Sequence, residues 1–289
     1  MTLEQTQQRR QAIATIHDIV GAMRAIAAGR IQSAQRALAS SRRYEDLVVR
    51  AIVALTARLD SFPFLEVLGK PTLLVTMTSE QPLCGIFNQD VLSLAVRRLH
   101  ELREEAEVRL MVVGHRGLRQ LAAHGIVPDA AQPAATSVHG LRDVVKHLAA
   151  WVDQRFVAGE LGTLRVIYNR YKSISEQVPT DEQILPIDLA TIRQSVLPVK
   201  TIYNRQVSDP VLLAGLVSQY AFVRLFRIAA DSFASEQASR LTAMDGATRN
   251  TEKMLNSILD LERRERQGEI TRQVLELVAA RFSTGSPIA

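Results

Sequence analysis

At 289 residues, 47% hydrophobic and 22% charged, the chain is long enough to bury a sizeable core, and global disorder is excluded. A single cysteine, Cys84, excludes an internal disulfide framework and suits a reducing compartment. The net charge of +5 lies in the first segment, where nine arginines face only Glu4, Asp18, Glu45 and Asp46 across residues 1–59.

From Leu3 to about Leu59 there is no proline, and apolar residues fall at Ile13, Ile16, Val20, Met23, Ala27, Ile31, Ala34 and Leu38, then at Val48, Ile52, Leu55 and Leu59. Steps of three and four predict one long helix with a narrow seam. "DSFPF" then ends it, because proline cannot continue the hydrogen-bond ladder. The start, "MTLEQTQQRR", has no apolar core of signal-peptide length, and no uninterrupted run approaches the ~18 apolar residues of a membrane span. The expectation is a soluble, cytoplasmic chain, one that can sit beside a membrane protein.

Residues 61–207 change texture. "PTLLVTMTS" (71–79), "VRLMVVGH" (108–115) and "GTLRVIYNRYK" (162–172) predict buried strands, and helical patterns cover 88–105, 116–124 and 141–156. Strands alternating with helices predict βαβ units and a parallel, Rossmann-like sheet. "SEQVPTDEQILPI" supplies an edge strand.

After Asp209-Pro210 a second seam begins at Leu213, Leu216, Tyr220, Val223 and Ala230, and continues through Leu241, Met244, Leu255, Ile258, Ile270, Val274 and Leu277. The two helices would be rods of roughly 80 and 110 Å, against a radius of gyration of ~14 Å for the domain between them. Neither can bury its stripe against that domain, so they are expected to pair antiparallel with each other. The fold class expected is therefore α/β: a coiled coil of the terminal helices (1–60 and 208–289) around a central Rossmann-like domain (61–207).

Searches for chemistry return little. In "LGKPT" the residue five before Gly69 is Phe64 and Lys70 precedes a proline, so there is no phosphate loop; "VGHRGLRQ" offers Gly114 and Gly117 without a third glycine. Cys84, in "TSEQPLCGIFN", has its nearest histidine in sequence at His100. It reads as a small buried residue at a strand-to-helix turn, with a Cys84-dependent hydrolase as the alternative. His115 and His124 are nine apart, His139 and His147 eight, and neither spacing places two ligands on adjacent helical turns. Catalytic, cofactor and metal residues are all expected to be absent. Arg24, Arg30, Arg36 and Arg42 stand six apart, so they form a collar around the helix rather than a stripe, and no aromatic platform accompanies them. This argues against nucleic acid and leaves a solvated surface or a rod encircled by partners. The knot "LDLERRERQGEITRQ" (259–273), with four arginines and four acids, poses the same choice.

Four stretches carry a resemblance. "VGAMRAIAAGRIQSAQ" (20–35), "SEQASRLTAMDGATRN" (235–250) and "RRERQGEITRQVLELV" (263–278) resemble the terminal helices of the γ subunits of F-type ATP synthases. "TSEQPLCGIFN" (78–88) resembles that family's turn after the first central strand, usually S-D-R-G-L-C-G-G-F-N. Glu80, Gln81, Pro82 and Ile86 depart from it, as do Gln273 for the usual glutamate and Arg281-Phe282 for a small pair. Such departures suit a divergent second F-type ATPase.

The resemblance implies a non-catalytic rotor: the paired helices form a shaft inside a hexamer of α and β subunits, and the central domain, with ε, sits on the c-ring. The location implied is cytoplasmic, peripheral to the inner (plasma) membrane, without direct membrane insertion. It also implies that Met23, Arg24, Arg30 and Arg36 face β's acidic lever, that Arg266 and Gln267 touch a loop of β, and that Met23 lies opposite the neighbourhood of Gln267. A scaffold or regulatory coiled-coil protein with a Rossmann-like head is the alternative.

Overall fold

The computed structural model describes residues 3–56, 70–189, 192 and 208–283. Helix α1 runs Leu3–Thr56, and the stop expected at Asp60–Phe64 lies outside the described residues. Five strands follow, β1 (Thr72–Met77), β2 (Val108–Val113), β3 (Ala130–Gln132), β4 (Thr163–Tyr171) and β5 (Gln177–Leu185). Helices α2 (Phe87–Glu105), α3 (His115–Ala123) and α4 (Val138–Val157) lie between them, and α5 runs Asp209–Ser283.

The chain forms two compact units. One comprises Ile26–Thr242, the other Met1–Ala25 with Ala243–Ala289.

The larger unit is built on one sheet in the order β3-β2-β1-β4-β5. β1 pairs in parallel with β2 and β4, β2 in parallel with β3, and β5 runs antiparallel to β4 at the edge. The side-chain period of two sorts β1 between two layers. Leu74 faces α2 in a core with Val91, Leu99 and Leu110, whereas Leu73, Val75 and Met77 face a larger core shared with α4, α1 and α5. The large core takes Ala34, Leu38 and Ile52 from α1, and Leu213, Leu225, Ile228 and Phe233 from α5.

Long stretches of both helices therefore bury their stripes on the sheet. This corrects the expectation that only the other helix would cover them: the length argument holds for a whole rod but not for its nearest turns. From Ala229 to Arg240 every residue of α5 is buried, the polar ones included.

The smaller unit is a helix pair. Gln7 and Arg10 meet Glu262, with Arg10 Nε 3.2 Å from its carboxylate; the Thr6 hydroxyl donates to Glu265 at 2.5 Å; and Arg24 Nε lies 2.5 Å from Asp245. Such contacts require antiparallel helices, as the sequence predicts. Val20 is buried in the seam, but Ile16 is exposed, and His17 turns toward Glu252 instead. Ile270, Val274 and Leu277 are exposed too.

Candidate functional site

In a doubly wound sheet a ligand crevice opens at the carboxyl ends of the strands, where the connections reverse direction. Here β1 is that strand, with β2 on one side and β4 on the other. The turn after β1 is held from below by Asn88, whose carboxamide accepts from Ser79 N at 2.9 Å and donates to Ser79 Oγ at 2.8 Å. Leu83 has φ 65° and Gly85 φ 55°. Glycine adopts that conformation freely, but leucine pays for it. The strained backbone leaves the Leu83 side chain exposed, as is Ile86.

Cys84 points inward at 4% exposure, with Ser79 Oγ at 3.3 Å and Asn88 Nδ2 at 3.4 Å from its sulfur. Burial pushes its thiol pKa up, against a lowering hydrogen bond from Ser79. Among the described residues its hydrogen-bond partners are Ser79, Asn88 and the Gln81 carbonyl, none of them a base of the kind that activates a thiol. This is the setting of a structural cysteine.

The glycines after β2 serve packing. A Cβ on Gly114 would fall 2.4 Å from Thr78 O, and one on Gly117 2.3 Å from Thr78 Oγ1. Thr78 Oγ1 fills that space, accepting from Gly117 N at 3.2 Å and donating to Val113 O at 2.8 Å. Glu80 then ties three strand ends together: it accepts from Ala134 N at 2.9 Å and from His115 N at 3.3 Å, and it meets the His115 ring. Burial raises its pKa, but these hydrogen bonds outweigh burial and hold it below the usual carboxylate range.

Helix α5 closes the crevice from above. Ser239 Oγ donates to Cys84 O at 2.8 Å, Arg240 reaches Pro82 O at 3.3 Å, and Ser235 Oγ donates to Asn169 O at 2.8 Å. Asn169 Nδ2 in turn donates to Phe87 O at 3.0 Å. Glu236 is buried beside them, 2.8 Å from Arg240. Burial raises its pKa, while Arg240 and the nearby Arg30 oppose that rise. Where a Rossmann-type protein opens a ligand site, this chain inserts its own helix.

The model of the family described as ATP synthase matches residues 2–281. The ATP synthase gamma chain of Paracoccus denitrificans (strain Pd 1222) is 30% identical over 287 residues, covering 96% of this chain and 98% of its own length. That of Dinoroseobacter shibae is 31% identical over 289 residues, covering 96% and 97%. The chain belongs to the ATP synthase gamma-chain family. The same fold occurs in the Euglena gracilis mitochondrial ATP synthase (OSCP/F1/c-ring), at a TM-score of 0.63 and 16% identity over 99% of this chain and 97% of that one. It occurs again in the central stalk and c-ring structure from Tetrahymena thermophila, at 0.57 and 22% over 79% and 99%.

Within this gamma chain the six residues singled out from the sequence are divided between the two units. Met23, Arg24, Arg266 and Gln267 belong to the helix pair, Arg30 and Arg36 to the larger unit. Arg24 is engaged with Asp245, and Arg30 is half-buried near Glu236. Arg36 is exposed, its Nε 3.5 Å from Gln32 O of the same helix. Gln267 is exposed, as is Arg266, which lies 3.3 Å from Glu262.

The expectation that Met23 lies opposite Gln267 is wrong. Its neighbour Arg24 meets Asp245, and Gln267 lies beyond Glu262 and Glu265, which meet Gln7, Arg10 and Thr6. An antiparallel pair advances one residue up for one down, which separates Met23 from Gln267 by tens of ångströms. The charged knot is also divided: Glu262 is buried against α1 and Glu265 bonds Thr6, whereas Arg263, Arg266 and Arg272 point outward.

Sequence reasoning missed Ser235, Ser239 and Arg240 as the cover of the β1 turn. Their signal was available: serines four apart, then an arginine, in a stretch that also carries Asp231, Ser232, Glu236 and Gln237.

Proposed function

We infer that this gamma chain is the non-catalytic central shaft of a rotary F-type ATP synthase, coupling rotation of an ion-driven membrane ring to the catalytic β sites. Beyond family membership, one observation carries the reading. The most apolar 18-residue stretch of α1, with mean hydropathy 1.2, is only 11% buried, and Ile16 and Ile19 stand exposed beside the helix pair's seam. Exposed apolar side chains one turn apart on a helix offer a partner a place to pack.

A bilayer is a poor cover for it. The same pair carries the Arg10–Glu262 and Arg24–Asp245 ion pairs, and charged groups are expensive in a membrane interior. We read the cover as protein: the bore of the α/β hexamer. The 18-residue window in α5, with mean hydropathy 1.5, is read the same way, without membrane insertion.

The shaft comprises residues 1–60 and 208–289, and the head 61–207. The α and β subunits surround the shaft, and ε and the c-ring meet the head. Met23, Arg24, Arg30, Arg36, Arg266 and Gln267 are the contacts to β. The chain sits in the F1 sector, on the cytoplasmic face of the inner (plasma) membrane.

Native mass spectrometry of the purified complex tests this. One copy of this chain per three αβ pairs is expected, with no ATP hydrolysis by the chain alone. Saturable micromolar nucleotide binding to the isolated chain, or a complex lacking α and β, overturns the reading.

A further inference from the structure

Helix α5 leaves a small space in the crevice it closes. The space measures ≈ 30 Å³ and is lined among others by Thr78, Ala134, Ala135, Ser232, Phe233 and Glu236. Sites for drug-sized ligands run to about 300–1,000 Å³, so nothing of nucleotide size fits here. A water needs only about 10–15 Å³, provided that two or more polar groups face it.

Two buried polar side chains meet that condition. Glu236 is 6% exposed and Ser232 7%. Both close contacts of the Glu236 carboxylate, Arg240 Nη1 at 2.8 Å and Gln237 Nε2 at 3.3 Å, are to Oε1. They leave Oε2 for the crevice. A hydroxyl in a helix commonly turns back onto the carbonyl four residues before it, as those of Thr242, Thr248 and Thr251 do at 3.1, 2.9 and 3.0 Å. The Ser232 hydroxyl makes no such bond, and it has no hydrogen-bond partner among the described residues. Most of the remaining wall is apolar, and a buried polar group left facing such a wall is costly. The upward push of burial on the Glu236 pKa is what a carboxylate short of donors shows.

The spacing of the two groups suits a bridge. Ser232 and Glu236 stand four apart on α5, so they share a face of the helix with about 5–6 Å between their Cβ atoms. One water making bonds of about 2.5–3.0 Å on either side spans such a gap.

We propose that this crevice is a binding site for a single ordered water, which accepts from the Ser232 hydroxyl and donates to Glu236 Oε2. The water completes the closure of the strand ends by α5, in the place where a doubly wound sheet otherwise receives its ligand. Ser232 and Glu236 are positioning residues, and the proposal does not rest on the shaft reading.

The test is a density map of the purified complex at a resolution where ordered waters are seen, for the unaltered chain and for Ser232→Ala. The unaltered chain is expected to show one peak within about 2.5–3.0 Å of both Ser232 Oγ and Glu236 Oε2. Ser232→Ala removes one of the two groups and adds no atom. Its peak is expected to lose at least about half of its height relative to other ordered waters of the chain, since a buried water is held by its few hydrogen bonds. No peak in the unaltered chain, or a peak touching only one of the two groups, overturns the proposal. So do oxygen contacts shorter than about 2.4 Å, the spacing of a metal ion, and a peak of full height in Ser232→Ala. Whether or not Ser232→Ala folds, the map of the unaltered chain decides.

Discussion

The hydroxyl of Ser239 donates to the carbonyl oxygen of Cys84 at 2.8 Å, across 155 residues of chain. The two motifs that carried the resemblance thus meet in space, and the buried serine has a partner the apolar seam would not supply. Ser239→Ala leaves that carbonyl unpaired and is expected to cost about 1–2 kcal/mol. Urea denaturation of the full chain checks it; a midpoint unchanged at equal m-value would show that the bond contributes nothing.

Cys84 shares the site, and its setting there is that of a packed structural residue. Its thiol is buried and its pKa raised, so iodoacetamide at pH 8 is expected to label it only after urea unfolding. Cys84→Ser should keep ATP hydrolysis by the assembled complex within about twofold. A hundredfold loss with the fold intact would return the cysteine to the list of nucleophiles.

How much of this was legible in the sequence depends on what each feature rests on. The two terminal helices and strands β1, β2 and β4 rest on local periodicity, which is written in consecutive residues. β3 is Ala-Ala-Gln: it carries no β signal and becomes a strand only because β2 offers it an edge. Residues 229–240 of α5 defeat periodicity for the opposite reason, since a helix enclosed on every side has no polar face to contrast with the apolar one. Of the six candidate contacts, exposure of Arg36 and Arg266 follows from composition. The engagement of Arg24 with Asp245 could not be read, because it depends on the register of two helices more than 200 residues apart in sequence.

Asp231 gives a pH-dependent prediction. It is 1% exposed, its oxygens make no hydrogen bond, and burial raises its pKa despite Arg227. For a carboxyl raised on folding, the native state binds the proton more tightly than the unfolded one. Ionising it therefore costs stability once the pH passes its unfolded pKa. Asp231→Asn, which holds the group neutral, is expected to raise stability at pH 7.5 by about 1 kcal/mol, with the gain largely gone at about pH 4, near the pKa of an unfolded aspartate. Thermal melts at both pH values check this, and a lower melting temperature at pH 7.5 contradicts it. Glu182 has the opposite sign. Burial raises its pKa, but Arg227, Arg224 and the Tyr168 hydrogen bond prevail and lower it, so its contribution is present above the unfolded pKa and is lost as acid titrates it.

The helix-pair register predicts which crosslinks form. Cysteines replacing Arg24 and Asp245 should join through a short bismaleimide, because the native side chains already meet at 2.5 Å. A Met23→Cys, Gln267→Cys pair should not. Efficient linkage of the second pair and none of the first would mean that the helices pair in another register.

The proposed contacts to β call for variants that leave the chain's own structure alone, and the geometry decides which. Arg24→Ala breaks the pair with Asp245, and Arg30→Glu brings a carboxylate near buried Glu236; in either case lost activity could reflect lost fold. Arg36 has its contact on its own helix, at Gln32 O, while Arg266 and Gln267 are exposed. Substituting exposed helical residues usually changes stability by less than ~0.5 kcal/mol. On the proposed reading Arg36→Glu sets like charge against the acidic surface of β and should slow turnover more than Arg266→Ala with Gln267→Ala, which only removes attraction. Both should lower ions transported per ATP in reconstituted complexes while circular dichroism stays unchanged. For Arg36→Glu the deficit should shrink as salt rises, since screening weakens repulsion between exposed charges. Turnover and transport equal to the unaltered complex in both variants would leave these side chains as a solvated surface and move the contact to the exposed apolar residues Ile16 and Ile19.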